Sequence, residues 1–106
     1  MAMFYPNKQG VTHLVLILRK TYQGVHSNQV GFPGGRVEDI DKNLKHTALR
    51  ETEEEIGIPG KDIKVLKRLT RLYIPPSNFW VYPYVGLYEK TPCFIPQESE
   101  VEQVLE

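Results

Sequence analysis

A chain of 106 residues has room for one small domain. Its 13 basic and 13 acidic side chains cancel, so no global field draws it to nucleic acid or to a membrane surface. A single cysteine, Cys93, excludes an internal disulfide and a zinc knuckle, and the longest apolar run, Leu14 to Leu18, is too short to span a bilayer.

The opening MAMFYPNKQG lacks the basic-then-apolar layout of a secretory leader, which reads as a cytoplasmic protein. Residues 12–18, THLVLIL, are continuously apolar after the first two and predict one strand buried on both faces. Residues 21–28 are polar and predict a loop. Residues 29–32, QVGF, predict a short strand stopped by Pro33-Gly34-Gly35. A helix follows from Leu44 to Ile56, with Asn43 or Asp41 as its cap. Ala48, Thr52 and Ile56 recur every four residues as a buried stripe, Gly57 suits the left-handed position past the end, and Pro59 prevents resumption. Residues 63–74 predict a strand with a bulge, and residues 75–78, PPSN, a turn. Aromatic and β-branched content predicts a strand over residues 79–89, with Pro83 marking an edge, a break or a bulge. Trp80, Tyr82 and Tyr84 alternate and read as one face of that strand, with rings able to stack on a base. Alternation around Val101 and Val104 predicts a final strand.

The helix poses the chemical question. Glu51, Glu53, Glu54 and Glu55 crowd its C-terminal half, where the dipole is negative and like charges repel. At about 100° per residue, Glu55 falls about 40° from Glu51 and Glu54 about 60° to the other side, so these three share an arc that excludes Glu53. A solvated acidic face is the plainer account. Against it stand the unfavourable end of the helix and the preceding glycine-rich loop, whose N–H groups suit phosphate oxygens. A hard divalent cation, which takes carboxylate, water and phosphate oxygens, would cancel both the repulsion and the dipole conflict. An EF-hand fails because Leu44 stands where its turn glycine belongs and Arg50 where its bidentate glutamate belongs. A Walker loop fails because no Gly-Lys-Ser/Thr follows the glycines.

The stretch Arg50 to Ile58, RETEEEIGI, resembles the core of the Nudix box, G-x5-E-x7-R-E-U-x-E-E-x-G-U with U aliphatic. Arg50, Glu51, Glu54, Glu55, Gly57 and Ile58 match it. Thr52 fills an aliphatic position, and the segment from Gly35 is one residue longer than the pattern, with Asp41 where a glutamate is usual. Those same departures resemble the coenzyme A pyrophosphatase branch, whose box runs FPGG, a later Asp, then TALRET-EE-G. Here Phe32-Pro33-Gly34-Gly35, Asp41 and Thr47 to Thr52 stand in that order. Leu16 and Arg19 fit the branch's upstream motif, while Gly24 and Asn28 depart from it.

The resemblance implies an α/β (α+β) fold, a Nudix-type α/β/α sandwich whose mixed sheet carries one Nudix helix, and here apparently without the helix that follows the final strand. It implies a single Nudix domain over residues 1–106, from a longer protein. It implies Mg²⁺ (or Mn²⁺) held by Glu51 and Glu55, with Glu54 a further ligand or base, a Gly35 carbonyl, and Arg50 orienting a carboxylate by an ion pair. The reaction implied is hydrolysis of a small-molecule diphosphate, coenzyme A or acyl-CoA, to 4′-phosphopantetheine and adenosine 3′,5′-bisphosphate. Other substrates (ADP-ribose, a dinucleoside polyphosphate, a damaged nucleotide) and a non-catalytic Nudix-fold binding module are the alternatives. Arg19, His26 and Arg36 are the substrate-binding candidates, and Glu98, Glu100 and Glu102 could supply a metal ligand from outside the box. With helices needed on both faces of such a sheet, residues 14–18 and 79–85 are expected to be left exposed and to support self-association, a homodimer being one form of it.

Overall fold

The computed structural model describes residues 1–20 and 29–106. Strands β1 (Ala2–Pro6), β2 (Thr12–Leu14), β8 (Tyr84–Leu87) and β5 (Lys64–Arg68) form a four-stranded sheet in the order β2-β1-β8-β5. Its β1–β8 pairing is parallel and the other two are antiparallel, so the sheet is mixed. A second sheet runs β4 (Val30–Gly31), β3 (Leu16–Arg19), β9 (Val101–Leu105), and β6 (Leu72–Ile74) pairs with β7 (Phe79–Val81) in a separate hairpin. The α1 helix (Leu44–Ile56) packs against β9. This is the mixed α+β architecture with one helix that the sequence implies; among the described residues no second helical layer is present.

Local chemistry fixes α1. Asn43 is its cap: extended at φ −163°, it accepts from the His46 N–H at 2.8 Å through its side chain. Gly57 ends it at φ +78°, donating its N–H to the Glu53 carbonyl at 2.9 Å. The Ala48–Thr52–Ile56 stripe is buried as its period requires, and burying Ile56 alone is worth roughly 1.5–3 kcal/mol. Thr52 is tolerated at the aliphatic position because its hydroxyl donates to the Ala48 carbonyl at 2.7 Å, leaving no polar atom unpaired.

The strands depart from the sequence-based expectations in four places. Residues 12–18 are two strands: the run breaks at Val15, whose N–H donates to the Met3 carbonyl, and β2 and β3 enter different sheets. An apolar run specifies burial, and both sheets bury it, so Val15 and Ile17 are inaccessible rather than exposed. Residues 63–74 carry the expected bulge, between Val65 and Lys67, but β6 then separates into the hairpin. Of the edge, break or bulge expected at Pro83, the chain has a break, and it divides the aromatic run: Trp80 is 49% exposed in β7 while Tyr84 is buried in β8, so the three rings do not share a face. Finally, β1 was not anticipated. Met1, Met3 and Tyr5 alternate inward along it, and Asn7 turns the chain back by accepting from the Gln9 and Val11 N–H groups.

Candidate functional site

The loop before α1 and the last turns of α1 face each other. Gly34 donates its N–H to Glu55 Oε1 at 2.7 Å, and Arg19 Nη1, reaching from β3, donates to Glu55 Oε2 at 2.9 Å. Arg19 Nη2 also donates to the Phe32 carbonyl at 3.2 Å. The Glu55 side chain is only 3% exposed, and burial pushes its carboxyl pKa above the ordinary value, against the opposing pull of Gly34 and Arg19. Behind this loop the amino group of Met1, itself buried, donates to the Pro33 carbonyl at 2.6 Å, and burial lowers its pKa to about 6.

Glu51 presses on the same loop from one helical turn earlier. A Cβ added at Gly35 would lie 2.4 Å from Glu51 Cδ and within 2.7 Å of both carboxylate oxygens. The bare backbone of Gly35 lets the loop approach the carboxylate; any side chain there would push the Glu51 carboxylate aside. Burial also raises the Glu51 pKa, offset by the neighbouring Arg50 guanidinium.

Arg50 organises the other side. Its Nε and Nη2 fork onto both oxygens of Asp41 at 2.8 and 3.0 Å, and Nη1 lies 2.9–3.1 Å from Glu38, Glu51 and Glu54. Nη2 adds the Arg36 carbonyl at 3.0 Å. Asp41 is inaccessible and also accepts from the Thr47 hydroxyl and the Glu38 N–H. The Arg50 fork holds its carboxyl far below the usual range, and the same carboxylates raise the Arg50 pKa further.

Glu51, Glu54 and Glu55 line one open cleft of about 640 Å³ together with Arg19, Arg36 and Glu100. Glu53 turns away and accepts from the Gly60 N–H at 2.8 Å, as the helical wheel requires. Arg36 sits at the cleft with its guanidinium 4.5 Å from the centre of the Phe79 ring, which links the β6–β7 hairpin to the site. Of the three later glutamates only Glu100 reaches the cleft. His26 lies outside the described residues. Asp41 is the residue that sequence reasoning undervalued. The sequence offers it as a cap or as a displaced box position, yet it is the Arg50 counter-ion; its local contacts are the Glu38 N–H three residues before and the Thr47 hydroxyl six residues on.

Among the described residues, no three Asp, Glu, His or Cys side chains converge as a ready metal cage; Arg50 and Arg19 stand between the carboxylates. The donor chemistry nevertheless fits a hard divalent cation. Glu51, Glu54 and Glu55 supply carboxylate oxygens on one cleft wall, and Gly35 leaves room for its backbone to meet Glu51.

A mixed-sheet domain that sets a carboxylate-rich helix against a double-glycine loop defines a class of protein. The family model of the NUDIX domain matches residues 1–105, and the chain belongs to the Nudix family. An uncharacterized Nudix hydrolase NudL from Pectobacterium atrosepticum is 39% identical over 97 residues, covering 88% of this chain and 48% of that protein. Its counterpart from Yersinia enterocolitica is 41% identical over 93 residues, with 88% and 47% covered. The chain thus spans about half the length of the curated relatives it matches. Among solved structures, a C. elegans Ap4A hydrolase binary complex superposes with a TM-score of 0.80 at 15% identity, covering 98% of this chain and 74% of the other. The NUDIX domain of Shewanella oneidensis NrtR, complexed with ADP ribose, gives 0.69 at 19% identity, covering 98% and 66%. At these identities the likeness is one of fold. No helix among the described residues is long and apolar enough to cross a membrane.

Proposed function

We propose that this domain is a Mg²⁺- or Mn²⁺-dependent pyrophosphohydrolase acting on a nucleoside diphosphate linkage, with coenzyme A or acyl-CoA as its substrate. The observation that carries this reading is the mutual fit of the FPGG loop and α1: the Gly34 N–H on Glu55 and the glycine-only contact of Gly35 with Glu51. The loop that resembles the coenzyme A motif and the helix that carries the box carboxylates are therefore one unit.

Glu51 and Glu55, with Glu54 and the Gly35 carbonyl, would hold the cation. When bound, it supplies neutralisation of phosphoryl charge and a water of lowered pKa. The rest is the chain's own work. Arg50 fixes Glu51 and Glu54 in place. Glu54, 46% exposed to the cleft, is the carboxylate able to take the proton of the attacking water. That water's oxygen bonds one phosphorus while the bridging P–O bond breaks, and 4′-phosphopantetheine and adenosine 3′,5′-bisphosphate leave. Arg36, at the cleft beside Phe79, is placed to pair with a phosphate.

The test is Mg²⁺-dependent turnover of a panel (coenzyme A, acetyl-CoA, ADP-ribose, Ap4A) with products identified by mass. Release of the two named products, abolished by chelation, is expected. Faster turnover of ADP-ribose or Ap4A would reject the coenzyme A assignment and keep the hydrolase; no turnover of any diphosphate would favour a binding module.

A further inference from the structure

Three observations meet at Glu55. Its carboxylate is buried at the negative end of α1, yet both oxygens are committed, one to the Gly34 N–H and one to Arg19. Arg19 stands on the wall of the same cleft, 34% exposed, and among the described residues its guanidinium has one further partner, the Phe32 carbonyl at 3.2 Å. The ladder between β3 and β9 shifts register between Leu18 and Arg19, the kind of irregularity that re-aims a side chain. A guanidinium and a divalent cation cannot both sit at 3 Å or less from one carboxylate oxygen without strong repulsion. Arg50 differs: its fork on inaccessible Asp41 gives it nowhere better to go.

We propose that Arg19 is an exchangeable counter-ion. It neutralises Glu55 in the metal-free domain; when a divalent cation takes Glu55, Arg19 releases that oxygen and presents its guanidinium to a phosphate of the substrate. A guanidinium matches phosphate as well as it matches carboxylate, so the exchange swaps one charge-assisted partner for another. Metal and substrate are thereby coupled without movement of the backbone, whose Arg19 N–H stays on the Gln29 carbonyl at 2.9 Å. This rests on the metal-dependent reading above.

The test is Mn²⁺ binding without substrate, followed by electron paramagnetic resonance, for the wild-type chain, Arg19→Gln and Arg19→Lys. Removing the competing cation makes Arg19→Gln bind Mn²⁺ roughly tenfold more tightly, a typical coupling between sites, while Arg19→Lys stays near wild type. A merely structural arginine would weaken binding when removed, so equal or weaker binding by Arg19→Gln overturns the exchange while the metal reading stands. If none of the three chains binds Mn²⁺, both ideas fall. Should Arg19→Gln not fold by circular dichroism, arginine side-chain NMR of the wild type decides. Added Mg²⁺ is then expected to deprotect the Arg19 Nη protons and leave those of Arg50 protected; Arg19 protons that stay protected would overturn the proposal.

Discussion

Arg50 is paired with four carboxylates and donates to a carbonyl with 10% of its side chain exposed, whereas Arg19 serves, among the described residues, one carboxylate and a carbonyl and stays open to the cleft. The first arrangement is cross-braced: losing any one of the glutamates leaves the guanidinium held by Asp41, which is itself held by Thr47 and Glu38. The second is a single half-buried pair. Charge count alone does not distinguish a scaffold from an exchangeable contact; the number of independent hydrogen bonds and the water around them do.

The largest expected effect breaks the exchangeable side. Glu55→Gln is expected to lower the proposed hydrolysis by about 100-fold or more, because the proposed cation site loses a ligand charge; turnover of the diphosphate panel checks it. Metal-free stability moves the other way. Burial raises the Glu55 pKa in the fold above its ordinary 4.5, so the folded chain binds the proton more tightly and loses stability as pH rises past that value. Glu55→Gln is therefore the more stable protein at neutral pH, with the gap closing toward acid; thermal melts across pH check the sign. An unchanged kcat together with a lower melting temperature would contradict both halves.

Next comes Gly35→Ala. Its Cβ collides with the Glu51 carboxylate and pushes that carboxylate out of position, and misplacement of about an ångström near the reacting groups of the proposed site costs roughly 100-fold. Helical circular dichroism is expected to be preserved, since Gly35 lies outside α1.

Asp41→Asn tests the braced side. The Arg50 fork depresses the Asp41 pKa below the ordinary 3.8, so its contribution to stability is complete above that value and drains away as pH falls below it. Asp41→Asn is expected to melt lower at neutral pH and to show a flatter acid limb, followed by circular dichroism in an acid titration. Identical acid limbs would mean the fork adds nothing. The smallest effect belongs to Glu53→Gln, whose side chain serves the Gly60 N–H on the far side of the helix. Turnover within about twofold of wild type is expected, because surface changes away from such features are small.

The same contrast explains what the sequence made legible. Everything set within one helical turn was readable: the Asn43 cap, the Gly57 stop, the Ala48–Thr52–Ile56 stripe and the separation of Glu53 from the other glutamates. The break at Pro83 and the bulge near Lys67 were readable because proline and mixed patterns have local meaning. The division of residues 12–18 at Val15 was not, since an apolar run satisfies either sheet and the choice depends on β1 and β9, at opposite ends of the chain. Strand β1 left a signal in the alternation of Met1, Met3 and Tyr5, but one short enough to pass for a terminus. In the site, the carboxylates were visible because they crowd the wrong end of a helix. Their partners were not. Arg19 and Glu55 stand 36 residues apart, and Asp41 reaches Arg50 along a loop whose path no periodicity dictates.

The proposed function stands or falls with a divalent cation held by the α1 carboxylates against the glycine loop. Titration of Mn²⁺ into the wild-type chain and into Glu55→Gln, Glu51→Gln and Glu53→Gln, followed by electron paramagnetic resonance, tests it without any substrate. Binding by the wild type and Glu53→Gln, with severe loss in Glu51→Gln and Glu55→Gln, is the expected result. Mn²⁺ binding that survives both substitutions would place the cation elsewhere and contradict it.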